Sequence, residues 1–462
     1  MTTKQRWVLA LISLASLMIM LDALVVTTAL QAIRLDLGAS AEQLEWSVNA
    51  YTLPFAVLMM AGAAVGDRYG RKRVFIIGIV VFTIASVACA LSPSIGWLIA
   101  ARALQGIGAA ASAPVAQTIL TSEFSPEERP KALGVYWGMT GLATLGGPIV
   151  GGIVVETAAW QWIFWLNVPL AVVLLPLIIA KLPESHGEAR RMDFAGIGLV
   201  TIAVFGLVWG LVRGNVVDWT SAEVLAALIG GALALVAFVW WELRTTDPLL
   251  PLRFFKSRAF SAGNASVFLL FASTFGGLFF FAQFLQTVLH HGPLGAGVRL
   301  APWTVTVILF APIAGKLVNK FGERPLVAGG LLMQAIASGW FAVIAGPDVS
   351  YSSMIAPFVL AGAGTSMVVP AATAAVYASV PEASFGAASG TFSTMRQLGG
   401  AFGIALAVAV FVGAGGYGSV QQFTDGFGAA MVAATVVALI GVVAGLAFPT
   451  RRPAPVPEKV AA

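Results

Sequence analysis

Apolar runs of about twenty residues recur along this chain from one end to the other, and a helix of that length crosses a ~30 Å hydrocarbon core. The first of them, "WVLALISLASLMIM" from Trp7 to Met20, carries no charge at all. Only 10% of the residues are charged and 58% are apolar, whereas globular chains carry roughly 25% charged residues. Too few charges remain to cover a water-facing surface, and the mean hydropathy of +0.90 agrees. In lipid every backbone polar group must find a partner within the protein, so long apolar runs become helices. A β-barrel is excluded, since its strands would be ~10-residue alternating segments. The expected class is an all-α polytopic membrane protein.

Charges, Pro and Gly cluster between the runs and mark the breaks. The expected spans are 7–33, 46–65, 74–91, 95–118, 133–155, 162–180, 194–213, 222–241, 260–289, 299–318, 325–345, 352–377, 386–413 and 427–448, fourteen in all. The long ninth run could also be a tilted or broken helix. With both termini in the cytoplasm, all but five of the 26 Lys and Arg residues fall in cytoplasmic segments. The exceptions are Arg34, Arg213 and Arg299 outside, and Arg102 and Arg396 within spans. This satisfies the positive-inside rule and explains the pI of about 9.5 without nucleic acid. Lys4 and Arg6 before the first run suggest a secretory signal. The run is too long for one, contains Asp22 and lacks a small-residue cleavage site, so it is read as a retained span. The single cysteine, Cys89, rules out an intrachain disulfide.

Two of the basic loops resemble each other. "AAVGDRYGRKR" begins at Ala63 and "GKLVNKFGERP" at Gly315, and each sets an Asp or Asn, a cation, an aromatic, a Gly and further charges in the same order. Such symmetry is what a two-bundle transporter predicts, although Gly70 and Gly322 can also be plain helix caps. At this point the chain resembles the major facilitator superfamily, whose signature loop joins spans two and three. Ala63 stands at the family's leading Gly, and Asn319 replaces the acid in the second copy. The resemblance implies two six-helix bundles that rock about a central site. Gly66, Asp67, Arg68, Gly70 and Arg71 would then form a cytoplasmic latch. An exposed carboxylate can latch by meeting a helix N-terminus or a cation of the other bundle.

Span four reads "WLIAARALQGIGAA", with Arg102 inside it. A guanidinium in lipid is costly and faces a cavity or a partner. It is either a clamp on backbone carbonyls or, as the resemblance to the family's span-four Arg motif implies, part of proton coupling. Span five, "GVYWGMTGLATLGGPIVGG", bares its backbone at Gly134 and Gly138 and again at Gly147 and Gly151, while Pro148 removes a hydrogen bond. Its ending, Gly147, Pro148, Gly151 and Gly152, resembles the motif of antiporters in the superfamily, with Ala143 at the family's central Gly. "WQWIFWLNVPL", "LDALVVTTAL" and "SGTFSTMRQLGGAFG" resemble segments of the fourteen-span drug:proton antiporters. In that family spans seven and eight are inserted between the halves. The resemblance therefore implies a bundle over 1–185, two inserted helices over 186–250, a second bundle over 251–450 and a cytoplasmic tail over 451–462.

Asp22 is the one acid lying deep within the expected spans. Its ionised form at a helix centre costs about 2.5–3.5 kcal/mol on insertion scales. Burial disfavours the charged form and a nearby cation favours it, so a carboxylate between the two can load and release a proton. Asp22 is the expected proton carrier, with Arg102 modulating its affinity; the alternative is a hydrogen-bonded structural acid. Candidates for a central cavity are Asn49, Tyr51, Gln105, Phe271, Phe275, Gln283, Trp303, Tyr377 and Arg396, each of which could also face lipid or a neighbouring helix. No acid lies in the second bundle's spans, which argues against divalent lipophilic cations. No spaced His, Cys or acid cluster suggests a metal or nucleophile site, so no metal, cofactor or enzymatic activity is expected. The expected function is proton-coupled export of amphipathic small molecules from a monomer in the cytoplasmic membrane. Its partners are substrate, protons and lipid. Alternatives are a dedicated exporter of one metabolite or antibiotic, and an uptake symporter, against which the span-five motif argues.

Overall fold

A computed structural model of the chain describes residues 1–39, 41–187, 193–214, 217–246, 248–416 and 418–450. The expected tail, 451–462, and the basic pair Arg190 and Arg191 lie outside these described residues. The long helices are α1 (Thr3–Leu37), α2 (Ala41–Tyr69), α3 (Arg71–Ala90), α4 (Ile95–Glu123), α5 (Arg129–Thr157), α6 (Trp162–Lys181) and α7 (Phe194–Gly214). They continue with α8 (Ala222–Glu242), α9 (Arg258–Thr287), α10 (Ala301–Phe321), α11 (Glu323–Ile344), α12 (Tyr351–Ala378), α13 (Phe385–Ala414) and α14 (Val420–Leu446). Among the described residues, thirteen candidate spans are long and apolar enough to cross a membrane. The remaining long helix is α5, 29 residues in length and packed against α1 and α10.

Local chemistry sets the helix ends. Thr2 accepts from the Gln5 amide at 3.2 Å and the Gln5 side chain returns the bond at 2.8 Å, a reciprocal cap that starts α1 before its first apolar residue. Gly38, at φ 62°, ends it. The two similar basic loops turn on Gly70 at φ 106° and Gly322 at φ 81°, backbone that disfavours any side chain. The ninth run is a single helix, not a broken one. It is followed by the short helix Pro293–Arg299, so α10 starts at Ala301.

The helices form two six-helix bundles with the same internal pairings. Helix α1 packs on α5 as α9 does on α13, α2 on α4 as α10 on α12, and α3 on α6 as α11 on α14. The inserted helices α7 and α8 pack on each other, and α7 also touches α2 and α13, one helix from each bundle. Trp46 of α2 lies 4.8 Å from Trp209 of α7, ring centre to ring centre. Helix α8 turns Leu233, Val236 and Trp240 outward. Such a surface suits lipid and not water.

Candidate functional site

Helix α4 approaches its neighbours through small residues. A methyl on Gly106 would overlap the Tyr51 carbonyl of α2, and one on Gly108 would lie 2.6 Å from the Phe82 nitrogen of α3. Close backbone approach lets short polar side chains from several helices meet. At that crossing Asp22 of α1 and Arg102 of α4 form an ion pair at 2.6 Å, both fully buried. Asp22 Oδ1 accepts from Gln105 Nε2 at 2.9 Å and from Asn167 Nδ2 at 2.7 Å. Arg102 also donates to Gln105 Oε1 at 2.7 Å and to the Ser47 carbonyl at 3.3 Å. Ser86 of α3 closes the network, accepting from Gln105 at 2.8 Å and from Asn167 at 3.2 Å.

Two rings flank the guanidinium, Tyr51 at 4.3 Å and Phe164 at 5.8 Å. Cation–π attraction of this kind grows as water is excluded. Three donors, on Arg102, Gln105 and Asn167, thus converge on the Asp22 carboxylate. A proton on Asp22 removes the negative partner and leaves a buried cation with carbonyls and rings alone. Breaking such a pair costs about 3–5 kcal/mol. The arrangement is a buried polar network joining α1, α2, α3, α4 and α6. Sequence reasoning missed Asn167, Ser86 and Ser47. Asn167 was visible as a polar residue inside "WLNVPL"; serines are too common in membrane helices to stand out.

The basic loops lie at one end of the molecule, and there the bundles meet. Asp67 pairs with buried Arg71 at 2.8 Å and its carboxylate sits at the start of α13, where a methyl on Gly386 would collide with it. The first turn of a helix attracts negative charge. Asn319, in the second copy of the loop, donates to the Glu127 carbonyl just before α5 at 2.6 Å. Each copy therefore reaches across to the other bundle near the start of a helix. An amide suits the second place because a carboxylate cannot donate to a carbonyl. Arg129 of the first bundle pairs with Glu382 of the second and lies over Phe385 at 4.9 Å. Ser389 of α13 donates to the Pro114 carbonyl of α4 at 2.7 Å. Gly66 packs against Val115, Arg68 lies on the surface near Tyr69, and Gly70 abuts Glu184 of the segment after α6.

The glycines of α5 serve two interfaces. Gly134 and Gly138 face Ala311 and Ile308 of α10, across the bundle boundary, whereas Gly147 faces Leu24 of α1, with a would-be methyl 2.7 Å from its Cβ. Gly151 is buried and Gly152 half-buried in a helix that runs unbroken to Thr157; the side chain of Pro148 lies outside the described residues.

The expected cavity residues are not gathered in one place. Tyr51 and Gln105 belong to the Asp22 network, and Tyr51 donates to the Ile19 carbonyl at 3.1 Å. Tyr377 is fully buried against Phe385 at the basic end. Trp303 lines a small apolar cavity inside the second bundle with Phe281, Phe341, Phe358, Thr274 and Gln334. Gln283 bonds to Phe279 of its own helix, and Asn49 is half-buried on α2. Phe275 stacks on Phe271 at 5.6 Å, and Phe271 reaches Arg396 at 5.7 Å.

Comparison with known proteins adds to this geometry. The profile of the Major Facilitator Superfamily matches residues 12–404 and 265–462. The multidrug resistance protein Stp of Mycobacterium tuberculosis (strain CDC 1551 / Oshkosh) is 33% identical over 391 residues, 84% of this chain and 72% of that protein. The tetracenomycin C resistance and export protein of Streptomyces glaucescens is 34% identical over 398 residues, 86% of this chain and 74% of that one. The cephamycin export protein CmcT of Amycolatopsis lactamdurans is 34% identical over 438 residues, 93% and 90% of the two chains. The solved structure of the proton:xylose symporter XylE matches with a TM-score of 0.70 at 16% identity, covering 96% of this chain and 95% of that one, a likeness of fold.

Proposed function

This chain belongs to the major facilitator superfamily, and from that premise we propose that it is a proton-coupled antiporter exporting amphipathic or lipophilic small molecules from the cytoplasm. The observation that carries the reading is the buried Asp22–Arg102 pair with its Gln105, Asn167 and Ser86 shell. Export as the direction draws on the relatives named for resistance and export. The basic end is taken as cytoplasmic by the positive-inside rule, which puts both termini inside a bacterial cytoplasmic membrane. The two bundles then rock about their boundary, and the contacts at Asp67, Asn319 and Arg129 are the inner latch.

The packing offers a route from proton to bundle motion. Protonation of Asp22 dissolves its ion pair and loosens α1 from α4. Helix α1 bears on α5 through Leu24 and Gly147, and α5 bears on α10 through Gly134 and Gly138. A shift of α1 is therefore felt at the boundary that must move. Each unit of pH gradient supplies about 1.4 kcal/mol, and 100 mV about 2.3 kcal/mol per charge. One proton suffices for a modest outward gradient.

The alternative, a dedicated exporter of one compound, uses the same site and is favoured by relatives named for a single antibiotic. The test uses everted vesicles with an acid interior and a panel of cationic, neutral and anionic drugs. Wild type should accumulate drug and Asp22→Asn should not, although it inserts normally. Accumulation by Asp22→Asn at the wild-type rate would refute the proton role. A panel narrowed to one compound selects the dedicated exporter.

A further inference from the structure

Four arginines are buried among the described residues, and three of them have a carboxylate. Arg71 pairs with Asp67, Arg102 with Asp22 and Arg129 with Glu382. The fourth, Arg396 on α13, is 6% exposed and makes no ion pair or hydrogen bond among the described residues; its Nε is enclosed without an acceptor. Two rings lie over it, Trp137 at 5.2 Å and Phe271 at 5.7 Å, and the Tyr136 phenol of α5 is within electrostatic reach. Trp137 belongs to α5 in the first bundle and Phe271 to α9 in the second, so the guanidinium lies on the boundary between the bundles. The Trp137 indole N–H is also buried without an acceptor.

A buried cation is tolerated when something neutralises it, and two orphaned donors side by side ask for an acceptor. The protein supplies that acceptor elsewhere three times and omits it here. A boundary between rocking bundles is where a transported molecule must pass. We propose that Arg396 is the anion-recognition subsite of the transport path, so that the cargo carries a carboxylate, or an enol or phenol acidic enough to ionise, on an aromatic or apolar body. This deepens the export reading and rests on it. Trp137, Phe271 and Phe275 offer flat faces to the apolar body, while the charge takes the place of the missing carboxylate. A cationic cargo would meet repulsion at this point. One anion leaving for one proton entering moves charge in a single direction, so the exchange is electrogenic and aided by an inside-negative potential.

The test uses three probes that share one ring system: 1-naphthaleneacetate, 1-naphthaleneacetamide and 1-naphthylethylamine. Binding to protein in nanodiscs is measured by equilibrium dialysis with labelled probes, in chloride and in gluconate buffer. Wild type should bind the carboxylate about tenfold or more tighter than the amide, the step from a neutral to a charge-assisted contact. The amine should bind most weakly. Arg396→Gln should erase the carboxylate preference and leave amide binding within about twofold, whereas Arg396→Lys should keep a preference. Should Arg396→Gln fail to fold, the ranking in wild type and Arg396→Lys still decides. Equal binding of acid and amide by wild type overturns the proposal, as does an undiminished preference in Arg396→Gln. A response to chloride alone, to which the naphthalene body adds nothing, overturns it too. Proton-driven accumulation of neutral drugs in vesicles, blocked by Asp22→Asn, would survive any of these failures, so the two readings fall separately.

Discussion

Replacing Gly386 by alanine should unlatch the basic end. Gly386 sits in the first turn of α13, and its added methyl would occupy the space of the Asp67 carboxylate. Asp67 cannot simply step aside, because Arg71 holds Oδ1 at 2.8 Å and Gly187 packs against its other flank, 2.6 Å from a would-be methyl to the Asp67 Cβ. Overpacking of this kind costs about 1–3 kcal/mol. Withdrawing the carboxylate from the helix start forfeits about 1 kcal/mol more. The closed latch is then weakened by about 2–4 kcal/mol, a roughly 30- to 900-fold change in the balance between closed and open forms. Paired spin labels across the basic end, read by pulsed dipolar spectroscopy in nanodiscs, should move from short to long distances, and export should slow. Asp67→Gly alone removes the latch without the collision. Combined with Gly386→Ala it should restore part of the short-distance population lost to the alanine. Unchanged distances in Gly386→Ala would refute the steric argument. A double variant as open as Gly386→Ala would show that the carboxylate was not what the methyl displaced.

The remaining expectations concern single hydrogen bonds. Asn167→Leu removes one of the two amide donors to Asp22 Oδ1, which should cost about 1–3 kcal/mol and lower the thermal midpoint in detergent. It should also alter the pH dependence of vesicle transport, and an unaltered pH profile would remove Asn167 from the coupling site. Asn319→Asp puts a carboxylate against the Glu127 carbonyl, where an amide now donates at 2.6 Å. It should open the basic end by spin-label distance, while Asn319→Gln, which keeps a donor, should open it less.

Much of the fold could be read from the chain because span length and charge are local properties. Each expected span falls on a helix, and most helices overrun it at one end or both. Helix α1 reaches from Thr3 to Leu37 where 7–33 was expected, and α14 starts at Val420 where 427 was expected. Hydropathy stops at polar residues such as Gln421 and Asp425, but backbone hydrogen bonding continues through them. Gly134, Gly138, Gly147 and Gly151 announced bare helix faces. Which helix each face meets could not be read, because both neighbours are apolar and neither leaves a mark on α5. Tyr51 and Gln105 were expected in a cavity for a similar reason: a polar group in a membrane helix must find company, and sequence does not say whose.

By itself the sequence determined that the chain lives in lipid, that it crosses repeatedly, and that Asp22, Arg102 and Arg396 are charges placed at a cost. Each of these follows from a run of neighbours along the chain and the energy of hydrating a charge. Only the tertiary structure decided that Asp22 and Arg102, 80 residues apart, neutralise each other while Arg396 faces rings and no carboxylate. That outcome depends on how closely glycine-faced helices approach and how they are rotated about their axes. A difference of one residue in that rotation moves a side chain by about 100°, and nothing in a linear pattern of apolar residues fixes it.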